Sequence, residues 1–71
     1  MVRRQTYINK IRELGYTFKH ERKRIFLWRK GMHFISVPKS ELLEEDFVKS
    51  TLRQAGLTDE DIQAFIRCAH S

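Results

Sequence analysis

The stretch from Arg24 to Pro38 constrains the chain most. Arg24-Ile25-Phe26-Leu27-Trp28-Arg29 is rich in strand formers, Lys30-Gly31 reads as a tight turn, and Met32-His33-Phe34-Ile35-Ser36-Val37 is a second extended run. Pro38 ends the ladder because it has no N–H to donate. Tyr16-Thr17-Phe18-Lys19-His20 alternates apolar and polar residues, as a half-buried strand does. A three-stranded antiparallel meander follows. Ile25 and Leu27 then point to one face and Phe26 and Trp28 to the other. Both faces carry apolar area, so the face left without helices is a candidate contact surface.

Helical spacing frames the meander. Tyr7, Ile8, Ile11 and Leu14 recur behind Thr6, a candidate cap, and Gly15 is the stop, which predicts a first helix over 6–14. Leu42 and Leu43 are expected to plug one end of the core. Asp46 is a candidate cap for a helix from about Phe47, with Val48, Thr51, Leu52 and Ala55 inward and Gly56 as the stop. Thr58-Asp59-Glu60-Asp61 reads as a cap and an acidic first turn ahead of Ile62, Phe65, Ile66 and Ala69. The order is α-β-β-β-α-α, an α/β (α+β) chain with helices mainly on one sheet face. Ile8, Ile11, Leu14, Phe18, Leu27, Val48, Leu52, Phe65 and Ile66 are the expected core.

Seventy-one residues leave room for a single domain over 1–71. One cysteine, Cys68, excludes an intramolecular disulfide and a Cys-based metal cluster and suits a reducing compartment. No run approaches the roughly 20 apolar residues of a membrane span, and no apolar signal segment follows the charged N-terminus. A cytoplasmic protein without membrane attachment is expected. Charge is divided along the chain. Residues 1–40 hold eleven Lys or Arg and two Glu, near +9, whereas residues 41–71 hold three and seven, near −4. Such a division gives one surface a field suited to phosphates and another suited to basic partners.

The order of elements, the Ser36-Val37-Pro38 strand end, and Thr51-Leu52-Arg53-Gln54-Ala55-Gly56-Leu57 followed by Thr58-Asp59-Glu60-Asp61 resemble the HicA-type toxin family over residues 6–65. The resemblance implies a fold similar to double-stranded-RNA-binding domains. It also implies messenger-RNA cleavage held in check by an antitoxin protein. The family has a Gly-Ser-His group at the start of its second strand, with the histidine regarded as catalytic. Arg22-Lys23-Arg24 stands at that place in this chain.

The residues themselves support several chemistries. Lys19, Arg22, Lys23, Arg24, Arg29 and Lys30 cluster around two strand connections as candidate phosphate contacts, with His20 and Trp28 as contacts to sugars or unpaired bases. Arg3, Arg4, Lys10 and Arg12 extend the patch through the first helix. Metal-independent RNA cleavage needs a proton acceptor near a 2′-hydroxyl and donors for the charged phosphorane. His20 beside Lys19, Lys23 and Arg24 has those atom types; the plainer reading is an exposed turn histidine. His33 shares a face with Ile35 and Val37 and reads as a satisfied strand residue, and His70 has no motif around it. Three dispersed histidines and Cys68 have no metal-ligand spacing, so neither a metal nor another cofactor is expected. RNA interaction is the expected function, with endonuclease activity open. An acidic antitoxin could cover the same patch. The alternative is a noncatalytic protein-binding or self-associating module, including a homodimer.

Overall fold

Three strands, β2 (Thr17–Glu21), β3 (Ile25–Lys30) and β4 (His33–Pro38), form the antiparallel meander that the alternation predicts, in the order β2-β3-β4. The computed structural model describes residues 1–69, and His70 lies outside them. Pairing of Lys30 with His33 leaves Gly31 and Met32 as a two-residue hairpin loop. Gly31 takes φ +60°, as the first position of a type II′ turn requires, and among the described residues no non-glycine residue has positive φ.

Around this sheet stand β1 (Val2–Arg3), α1 (Arg4–Glu13), β5 (Leu42–Leu43), α2 (Glu45–Gln54) and α3 (Asp59–Ala69). The α-β-β-β-α-α order holds, with one addition. β1 and β5 pair as a two-stranded antiparallel ladder, Val2 with Leu43 and Arg3 with Leu42. Runs of two residues have no period to read, so the sequence does not announce them.

This ladder shifts the helix starts. α1 begins at Arg4, directly after β1, with the Arg4 N–H bonded to the Glu41 carbonyl at 2.8 Å; Thr6 is therefore inside the helix and is not its cap. α2 begins at Glu45 with Glu44 at its N-cap and no side-chain cap, so Asp46 sits in the first turn, where its charge suits the helix dipole. Thr58 does cap α3: its hydroxyl accepts from the Asp61 N–H at 3.1 Å.

One sheet face meets the helices. Trp28, Ile35 and Val37 are buried there with Tyr7, Ile8 and Ile11 of α1, Val48 and Leu52 of α2, and Ile62 and Ile66 of α3, while Val2 and Leu43 close one end. The Tyr7 hydroxyl lies 2.6 Å from Thr51 Oγ1, whose own proton goes to the Phe47 carbonyl at 2.9 Å. Tyr7 is thus the donor, and the bond ties α1 to α2.

Two expected core residues are elsewhere. Phe18 is 52% exposed because β2 is an edge strand, and its ring leans edge-on against Phe26 and Trp28. Leu27 is half-buried on the face away from the helices. Leu14 and Phe65 pack on the core from half-buried positions, and of the Leu42-Leu43 pair only Leu43 plugs it. Among the described residues, no helix is long and apolar enough to cross a membrane.

Candidate nucleic-acid interface

The helix-free face of the sheet is shaped by one irregularity in β2. Phe18 pairs with Trp28, but the next pair is His20 with Leu27, so Lys19 is an extra residue opposite β3. The bulge interrupts alternation. Phe18 points to the helix side, whereas Lys19 and His20 both point to the open side with Leu27.

Arg29 joins them from β3, two residues from Leu27, and Phe34 joins from β4 as the partner of Arg29. Lys19 Nζ lies 5.1 Å from the centre of the Phe34 ring, so a cation on β2 reaches an aromatic on β4 across the middle strand. The Thr17 hydroxyl donates to the Arg29 carbonyl at 3.3 Å and pins the β2–β3 pair beside this cluster.

Charge on this face is one-sided. Glu21 is the one acidic residue in β2, β3 and β4. It lies on the helix side with Phe26 and is paired with Lys39 at 2.6 Å. Lys19 and Arg29 therefore have no carboxylate partner among the described residues. The same holds for exposed Arg22, Lys23 and Arg24 in the β2–β3 turn, which is closed by the Arg22 N–H to the Ile25 carbonyl at 2.8 Å. Like charges held together without neutralisation raise the local potential and attract an anion.

Not every expected site residue comes to this surface. Lys19, His20 and Arg29 share the open face, and Arg22-Lys23-Arg24 adjoins one end of it. Lys30 is at the other end of β3, about 17 Å along the strand from Ile25. It also faces the helix side, with Nζ 5.9 Å from the Tyr16 ring centre. The two turns thus do not form one cluster. Trp28 is only 8% exposed and belongs to the core, so it offers no surface to a base on the open face. Phe34, 47% exposed, is the aromatic that is available there. Sequence reading put the turn at Lys30-Gly31, which would set Arg29 opposite Met32; the loop is Gly31-Met32 instead, and this shift of one residue brings Phe34 opposite Arg29.

His20 is half-buried, and among the described residues no hydrogen bond orients its ring. Arg22-Lys23-Arg24 forms the turn before β3 and is outside the strand. His33 is held more firmly. Its Nδ1 is hydrogen-bonded to the Tyr16 hydroxyl, and the two rings meet edge-on at 5.6 Å. Burial raises the Tyr16 pKa above its ordinary value, so the phenol stays protonated. With the phenol as donor, the ring proton of His33 is on Nε2. Sequence reading placed His33 on its face but did not supply this partner.

Among the described residues no three His, Cys, Asp or Glu side chains gather to hold a metal ion. Comparison of the chain with protein-family models, curated proteins and solved structures gives no match.

Proposed function

We propose that the chain is an RNA-binding protein, HicA-like in its element order and in its Leu52–Leu57 segment, that holds the phosphate backbone on the open face of its sheet. The observation that carries this reading is the β2 bulge, which sets Lys19 and His20 beside Arg29 and Phe34 on a face to which the strands contribute no carboxylate. Cations without internal partners exchange their counterions for phosphates, and an exposed ring stacks on an unpaired base. In this reading the protein acts in the cytoplasm, and an acidic antitoxin would compete with RNA for the same cations.

Cleavage is a separate step. His20 is the histidine that the bulge aims at the open face, so it is the proton acceptor for any attack by a 2′-hydroxyl on bound RNA. A second reading, a noncatalytic module that binds a protein or its own copy, draws on exposed Phe34 and half-buried Leu27 on that surface.

Incubating the purified protein with single-stranded and structured RNAs, with and without EDTA, separates these activities when retention and product formation are measured independently. Retention is expected in both conditions and persists in His20→Ala. Any products are expected to vanish in that variant. Self-association or protein capture without RNA retention at low salt would favour the module and contradict the RNA reading.

A further inference from the structure

On the other side of the β2 edge a groove of about 310 Å³ runs between α1 and the sheet. Arg4, Ile8 and Arg12 line it from one stripe of α1, and Phe18, Phe26 and Trp28 line it from β2 and β3. Its groups are unequally committed. The Arg4 guanidinium donates to the Lys39 carbonyl and lies 5.4 Å from the Phe26 ring centre. Lys39 Nζ covers the same ring at 5.2 Å and also neutralises Glu21. Phe26 and Arg4 are therefore walls. Three groups are uncommitted: the exposed Arg12 guanidinium, the half-exposed Phe18 ring, and the Trp28 Nε1 donor, which is buried without a hydrogen-bond partner.

We propose that this groove receives one unpaired nucleotide of an RNA strand, with its base on Phe18 and its phosphate on Arg12. The inference rests on the open-face reading, and it narrows the ligand to RNA that has an unstacked base. A nucleotide combines one anion, one flat ring, and acceptors on the ring edge, which matches the three uncommitted groups. An acidic peptide with a phenylalanine has the anion and the ring, but its ring edge has no acceptor for an indole N–H. Strand order supplies the path. β2 has a neighbour on one side only, and Phe18 and Lys19 are consecutive on it while facing opposite ways. A strand that lays phosphates against Lys19 can thus turn its next base over the β2 edge into the groove.

Trp28 is the chain's single tryptophan and lines the groove, so its emission reports occupancy directly. Titration with nucleoside 5′-monophosphates is expected to change that emission saturably, and ribose 5-phosphate and inorganic phosphate are expected not to. Labelled single-stranded RNA should bind Phe18→Ala about tenfold more weakly, the effect of one lost base stack, and Arg12→Ala should weaken it as well. Phe18 and Arg12 are outside the buried core, and a circular dichroism spectrum checks that both variants fold. An abasic site in the RNA should remove the difference between wild type and Phe18→Ala. Equal RNA affinity in wild type and Phe18→Ala, with Trp28 emission unmoved by nucleotides, would overturn the groove while leaving the open face intact. Equal binding of a Phe-containing acidic peptide and of nucleotides would overturn it too. A nucleotide-dependent Trp28 signal with no RNA retention would remove the open-face reading and, with it, an RNA strand as the occupant of the groove.

Discussion

Lys19 of β2 and Phe34 of β4 meet across β3, with the ammonium 5.1 Å from the ring centre, and neither side chain is part of the buried core. An exposed contact of this kind contributes about 0.5–1 kcal/mol, too little to matter for folding. Its consequence is positional, because the long Lys19 side chain is held over the sheet. Phe34→Ala should therefore change unfolding free energy by less than about 1 kcal/mol. The same variant should weaken RNA binding several-fold, by loss of the ring and of the hold on Lys19. Chemical denaturation and fluorescence anisotropy check the two halves, and a variant that loses stability and binding in parallel would speak against a surface role.

Tyr7 makes stability depend on alkaline pH. Burial pushes its pKa up to about 12 from an ordinary value of 10.0. Between those values the folded state keeps the phenolic proton that the unfolded state releases. The contribution is thus fully present below about pH 10 and is lost as pH rises toward 12, at about 1.4 kcal/mol per pH unit. Tyr7→Phe removes the ionisation and the bond to Thr51, costing about 1–2 kcal/mol at neutral pH. Measured between pH 9.5 and 11.5, the gap between wild type and variant should shrink. A constant gap would contradict the assignment.

The Tyr16–His33 hydrogen bond fixes a tautomer. In the wild type, neutral His33 should show the Nε2–H form in ¹⁵N spectra, and Tyr16→Phe should give a mixture of both forms. The same variant should lose about 1 kcal/mol of stability. An Nδ1–H form in the wild type would reverse the donor and acceptor assigned here.

The sheet was legible because alternation, a Gly-containing turn and a terminating proline all agree over Arg24–Pro38. Legibility failed where the deciding contacts are long-range. The β1–β5 pairing joins Val2 to Leu43, and with it the starts of α1 and α2 move earlier than Thr6 and Asp46 suggested. The site was half legible. Local sequence gathered Lys19, His20 and Arg22–Arg24, but the bulge that turns Lys19 and His20 to one face is a property of pairing with β3. Strict alternation also hid that Phe18 sits at a groove mouth and that Trp28 is enclosed, since both depend on where α1 crosses the sheet. Lys30 looked adjacent to the other cations because sequence distance does not reveal that the two turns cap opposite ends of β3.

The salt dependence of RNA binding tests the phosphate surface most directly. If Lys19, Arg22, Lys23, Arg24 and Arg29 each neutralise one phosphate of a single strand, these five contacts contribute about −3.5 to the slope of log K against log salt. Lys19→Ala and Arg29→Ala should each reduce that slope by about 0.7, whereas Lys30→Ala, on the opposite face, should leave it unchanged. A slope near zero, or one that Lys30→Ala alters and Lys19→Ala and Arg29→Ala do not, would contradict the account.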